Sequence, residues 1–239
     1  MADRGGTPPR GAVLRAGRRR SPAGGDVRRD HHREEHHMTA ETPALDLKEA
    51  GAVLAAESAR FASFGWMRGT SGNLSVVLSR DPLRLAVTAS GHDKGELTPD
   101  DVVLVDGSGA AVAGGKPSAE AELHARVAAL TGAGAVVHVH TVASVAMGRR
   151  EPGGIVFRDL EMLKGVGLPA HDVEVTLPVI ANSQDMKVLG DRLEAARDPR
   201  MPAVVVAGHG LYVWGTDPRR ARHHTEVVEW LLELELTGR

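Results

Sequence analysis

Ala135-Val136-Val137-His138-Val139-His140 reads as a buried strand that carries two histidines. Side chains at i and i+2 of a strand share one face. His138 and His140 therefore point the same way, and Val137 and Val139 point to the other face. Two imidazoles side by side on a rigid strand make a bidentate metal site. A pair of hydrogen-bonded histidines at a strand end would give the same spacing. His209 sits in Gly208-His209-Gly210, just after the apolar run Ala203–Ala207. Flanking glycines allow unusual backbone angles and close approach of the chain. A third imidazole can then project from a tight turn. Three histidines leave tetrahedral zinc one open position, which is the arrangement of a catalytic site.

Outward from this strand, helical and extended patterns alternate. Leu45–Phe64 has apolar residues at helical spacing and stops before Gly65. Asn73–Leu78, Leu83–Thr88 and Val102–Val105 are short extended runs separated by Gly, Asp and Pro. Ser118 is the expected N-cap of a helix reaching Leu130, with Glu120 and Glu122 in its first turn. A short helix is expected over 142–148, a strand over Val173–Leu177, and a helix over Asn182–Arg197 capped by Asn182. Leu211–Trp214 is a strand, and Asp217–Leu236 a long final helix. The meandering strands argue for a mixed or antiparallel sheet.

Metal-assisted chemistry also needs a carboxylate, and two are candidates. Glu120 lies at a helix start and Glu161 lies in Glu161-Met162-Leu163-Lys164-Gly165. Either could serve as ligand or acid–base group, although glutamate is more often a plain surface residue. If the segment around Glu161 lines the metal pocket, partial burial should favour its protonated form. Gly69-Thr70-Ser71-Gly72-Asn73 and Thr88-Ala89-Ser90-Gly91 are small-residue turns at strand ends. Such turns aim N–H groups and hydroxyls at an oxyanion. Ser118 at a helix N-terminus adds a donor and a favourable dipole.

Composition narrows the function further. Hydrophobic residues make up 42% of the 239, but only seven are aromatic, so the core must rest on Val, Leu, Ala and Met. Base-stacking platforms would need more rings. The absence of cysteine removes disulfides, thiolate ligands and a cysteine nucleophile, and suits a reducing, cytoplasmic setting. No apolar run reaches the length of a membrane span. Residues 1–37 hold nine Arg against five acidic residues, a net of +4, so the remainder carries −6 of the total −2. That remainder offers no evident basic face for nucleic acid. The first 37 residues lack apolar periodicity and read as a disordered extension. Their run His31, His32, Arg33, Glu34, Glu35, His36, His37 reads as a solvated tail rather than a metal site. Met38, where the composition changes, is the expected natural start of the domain 38–239.

GTSGNLS, TASG, KPSAEAELH, HVH and GHG, in this order, resemble the class II aldolase/adducin family over about residues 45–236. The resemblance implies a three-layer α/β/α sandwich with a central mixed, largely antiparallel sheet. It implies a homotetramer with active sites between subunits, and one Zn2+ per subunit held by His138, His140 and His209. It places a substrate phosphate at Asn73, Ser90, Gly91 and Ser118, and an acid–base role at Glu120. GWMRGTSGNLS, TASGHDKG, EMLKG and ANSQDM resemble the family's dehydratase branch, whose acid–base glutamate falls on Glu161. In eukaryotic members of that branch a cysteine is expected at the position of Glu120, which leaves the role of this glutamate open. The expectation is a zinc-dependent lyase for a small phosphorylated ketose. An aldolase, a 4-epimerase and a non-catalytic adducin-like interaction domain are the alternatives.

Overall fold

The computed structural model describes residues 45–238. The expectations for residues 1–37 and for Met38 lie outside the described residues. The described chain runs α1 (Leu47–Ser63), β1 (Asn73–Arg80), β2 (Leu83–Thr88), β3 (Val102–Asp106), β4 (Ala111–Ala113), α2 (Ala121–Thr131), β5 (Ala135–Val139) and α3 (Val142–Arg150). It continues through β6 (Ile155–Arg158), a 3-10 helix (Glu161–Val166), β7 (Glu174–Leu177), β8 (Val179–Ile180), α4 (Met186–Ala196), β9 (Ala203–Val206), β10 (Gly210–Gly215) and α5 (Pro218–Thr237).

Eight strands form one sheet in the order β4-β3-β2-β1-β5-β10-β9-β8. Its ladders are antiparallel except β8–β9, which is parallel. β6 and β7 form a separate antiparallel pair. Helices cover both faces. Leu74, Val137, Val139, Val205, Leu211 and Val213 pack with α1, α3 and α5 on one side. Val136, Val204 and Val206 pack with Leu123, Val127, Leu189 and Leu193 of α2 and α4 on the other. A strand buried on both faces reads as an unbroken apolar run, as Ala203–Val206 does. Among the described residues no helix is long and apolar enough to cross a membrane.

Helix starts follow local hydrogen bonding. α1 opens with a reciprocal capping box between Asp46 and Glu49. α5 opens with Asp217 accepting from the Arg220 amide, followed by Pro218 in the first turn. Two expected caps move. α2 begins at Ala121, so Glu120, not Ser118, occupies the cap position, and the Glu120 side chain makes no capping bond. Its carboxylate is engaged elsewhere, as described below. α4 is capped by Asp185, which accepts from the amides of Lys187 and Val188, because Asn182 spends its side-chain oxygen on the Ser183 amide.

Candidate metal centre

β5 lies between β1 and β10, and His138 sits in register with Asn73 on one neighbour and Tyr212 on the other. Directly opposed residues of adjacent strands put their side chains on one face. This row faces the α2–α4 side. His140 follows just beyond the strand end, and the turn after β9 brings His209 alongside. The Nε2 atoms of His138 and His140 lie 2.8 Å apart, and those of His138 and His209 lie 3.3 Å apart. The two glycines beside His209 do different work. Gly208 has φ of 69°, which a side chain resists. At Gly210 a Cβ would lie 2.3 Å from the Val139 carbonyl oxygen and 3.1 and 3.2 Å from the rings of His140 and His138.

The donor set fits a metal. His138 Nδ1 lies 3.1 Å from the Leu211 carbonyl, which can only accept, so Nδ1 carries the hydrogen and Nε2 presents a lone pair. The three ring nitrogens converge on one point, where a cation could share their lone pairs. Burial, then the neighbouring imidazoles His140 and His209, holds His138 well below the ordinary imidazole range. Burial and then His209 lower His140, with Glu120 opposing. Neutral imidazole is the form that binds metal. Tyr212 stacks on His138 with ring centroids 4.0 Å apart, fixing the ring plane. Burial, then the charge of Glu120, raises the Tyr212 hydroxyl well above its usual value.

Glu120 sits beside the cluster. Its Oε2 is 3.2 Å from His138 Nε2 and its Oε1 is 3.4 Å from His209 Nε2. Asn73 donates from Nδ2 to Glu120 Oε2 at 2.8 Å. A cavity of roughly 370 Å³ opens on this group, and its walls include Asn73, Ser90, Gly91, Ser118, Glu120 and His209. Lys94 joins them, 2% exposed, donating to the carbonyls of Thr70 and His92 and so tying the two small-residue turns together. Burial lowers its pKa, with Asp93 opposing. The loop Asn182–Gln184 before α4 closes another side.

Glu161 departs from expectation. It lies outside this cavity, with its side chain 70% exposed, and it pairs with Lys164 at 2.5 Å. The Lys164 hydrogen bond, then its charge, moves the Glu161 carboxyl below its usual range, opposite to the rise expected from partial burial. The 3-10 helix starting at Glu161 turns its apolar residue Leu163 inward and leaves Glu161 in solvent. Tyr212, Lys94, Ser75 and His124 belong to the centre or its support and were not singled out from sequence. His124 was within reach of that reading, since it stands one helical turn after Glu120.

The family model described as the Class II Aldolase and Adducin N-terminal domain matches residues 52–236. The chain is 41% identical over 174 residues to a protein of Sulfurihydrogenibium sp. named methylthioribulose-1-phosphate dehydratase, covering 71% of this chain and 81% of that one. It is 37% identical over 204 residues to the protein of that name from Methylococcus capsulatus, covering 84% and 96%. Among solved structures, an L-fuculose 1-phosphate aldolase superposes with a TM-score of 0.67 at 21% identity, covering 83% of this chain and 89% of that one. The Thermus thermophilus L-fuculose-1-phosphate aldolase gives 0.61 at 24%, covering 80% and 95%. These two likenesses speak for the fold alone.

Proposed function

Because the chain belongs to the class II aldolase and adducin family, we propose that it is a zinc-dependent hydro-lyase of the cytoplasm. Its substrate would be 5-methylthioribulose 1-phosphate and its product 5-methylthio-2,3-dioxopentyl phosphate. The observation that carries this reading is the group His138, His140 and His209 opening, beside Glu120, onto a cavity walled by anion-type turns. The substrate is taken from the relatives' names. Three imidazole nitrogens with a position left open suit zinc rather than the oxygen-seeking Mg2+ or Ca2+. When bound, zinc would supply Lewis-acid stabilisation of negative charge at the ketone.

The chain's own groups do the rest. Asn73, Ser90, Gly91 and Ser118 hold the phosphate, with the Lys94 charge close by, and so fix which face of C3 meets the base. Glu120 takes the C3 proton. The C4 hydroxyl leaves as water with a proton from Glu161, and the remaining enol becomes the 2,3-diketone. Glu161 is exposed in a single chain, so this step needs a second copy. A homotetramer with active sites between subunits would carry Glu161 to a neighbour's cavity.

The test is to incubate zinc-loaded protein with 5-methylthioribulose 1-phosphate and weigh the product. Loss of one water is the expected outcome. Scission between C3 and C4 would make the chain an aldolase, and unchanged mass with altered stereochemistry at C4 an epimerase. Protein that binds no zinc and turns nothing over would be an adducin-like interaction domain.

A further inference from the structure

A buried line of polar side chains runs from Glu120 away from the metal centre. Glu120 Oε2 accepts from Asn73 Nδ2, Asn73 Oδ1 meets His124 Nε2, and His124 Nδ1 meets Ser75 Oγ at 2.8 Å. The sequence sets this up simply. Asn73 and Ser75 are i and i+2 on β1 and share a face, and Glu120 and His124 are one turn apart at the start of α2. Asn73 is 6% exposed, Ser75 1% and His124 0%. Buried polar atoms of this kind must each find a partner of the opposite sense.

That demand leaves one assignment. The Asn73 amide turns its NH2 to Glu120 Oε2. Its oxygen then faces His124, whose Nε2 must carry a hydrogen. Burial pulls the His124 pKa down to about 4, so the ring is neutral near pH 7 and holds one hydrogen. Nδ1 is left as an acceptor, and the Ser75 hydroxyl must donate to it. Tyr212 meets the His124 ring edge-on and adds no competing hydrogen bond.

We propose that Ser75 and His124 are positioning residues whose one-way hydrogen-bond chain locks the Asn73 amide and holds Glu120 Oε2 as an acceptor, leaving Oε1 as the oxygen that exchanges protons with substrate. This rests on the reading of Glu120 as an acid–base group. Without the Ser75 donor, His124 is free to take its other tautomer. The amide can then flip and turn its oxygen on the carboxylate. A network that served stability alone would lower the melting temperature of variants and leave turnover per folded site unchanged.

The test uses full-length, zinc-loaded protein labelled with 15N-histidine, with His124 assigned by comparison with His124→Gln. The expected result is a His124 ring with hydrogen on Nε2 and a bare Nδ1 from pH 6 to 8. Ser75→Ala should lose that tautomer preference and about tenfold in kcat, roughly what one net hydrogen bond is worth, with zinc content within about twofold and a smaller rise in KM through the flipped Asn73 amide. Ser75→Cys, a weaker donor of similar size, should fall between. Hydrogen on Nδ1 in the wild type overturns the proposal, as does full kcat in folded Ser75→Ala and Ser75→Cys. The tautomer measurement needs no substrate, so it decides the direction of the chain even if the dehydration reading fails.

Discussion

At His138, His140 and His209 a single alanine removes one of three converging nitrogens and leaves two, too few for a tight tetrahedral site. Each variant should keep its circular dichroism while losing most of its zinc and at least roughly 10²-fold in kcat, the usual minimum loss when a catalytic metal or acid–base group goes. Full turnover in any metal-loaded variant would remove that residue from the ligand set. Under the proposed function Asn73 carries two tasks. Sequence placed it only on the phosphate, which predicts a KM effect, but its bond to Glu120 adds a second consequence. Asn73→Ala should therefore raise KM and also lower kcat about tenfold, the value of one lost hydrogen bond to a charged group. A pure KM effect in steady-state kinetics would show that Glu120 needs no such support. Glu161→Gln keeps shape and removes proton transfer. Zinc should be unchanged and kcat should fall by roughly 10²–10⁴. Silence there would pass the proton donor's role to Glu120.

The β9-to-β10 turn is the element on which the centre depends most tightly. Gly210→Ala forces a methyl group against the Val139 carbonyl, which is backbone and cannot give way cheaply. We expect several kcal/mol of destabilisation, since overpacking and lost strand pairing add, together with loss of zinc. A normal melting curve with full zinc would mean that the strands separate without cost. The elements around the centre were largely legible because their signals were long or chemical. β5 showed its histidine pair, α1 showed helical spacing that stops before Gly65, and α5 was expected as a long helix from Asp217. β4, β6 and β8 were not legible. β4 and β8 have three and two residues, too few to display a period, and β6 is four residues that pair with β7 apart from the main sheet. The Glu120 cap position was hidden for another reason. Ser118 is the better capping residue by propensity, whereas the Glu120 carboxylate is taken up by a tertiary hydrogen bond from Asn73 and not by the helix amides. The resemblance implied an acid–base role for Glu161, but in one chain it faces water, because the packing of the 3-10 helix rather than local pattern sets its direction.

For the whole molecule, the separation of Glu161 from the cavity makes a prediction about assemblies. Mixing dissociated Glu161→Gln chains with His140→Ala chains should restore part of the activity that each lacks alone, because a hybrid would hold some sites with both groups intact. No recovery after subunit exchange, shown by mass, would confine the chemistry to one chain. Glu229 on α5 sets a pH dependence of stability. It is fully buried, it accepts from the Thr141 hydroxyl at 2.8 Å, and burial raises its pKa from 4.5 to about 8. Between these values the folded chain keeps a proton that the unfolded chain releases, so stability falls as pH rises from about 4.5 and levels off above about 8. Glu229→Gln should stabilise the fold increasingly from pH 5 to pH 8, by on the order of a few kcal/mol at the upper end, read as a growing upward shift in melting temperature. An equal shift at both pH values would contradict the assignment. The row Asn73–His138–Tyr212 has one more consequence, in time rather than in space. Its members lie 65 and 74 positions apart along the chain, on three neighbouring strands. During synthesis β10 emerges after β1 and β5, and long-range strand pairing is the slow part of folding. Metal capture by all three imidazoles therefore waits until His209 has left the ribosome, so a nascent chain stalled before it should hold zinc no better than a pair of histidines can.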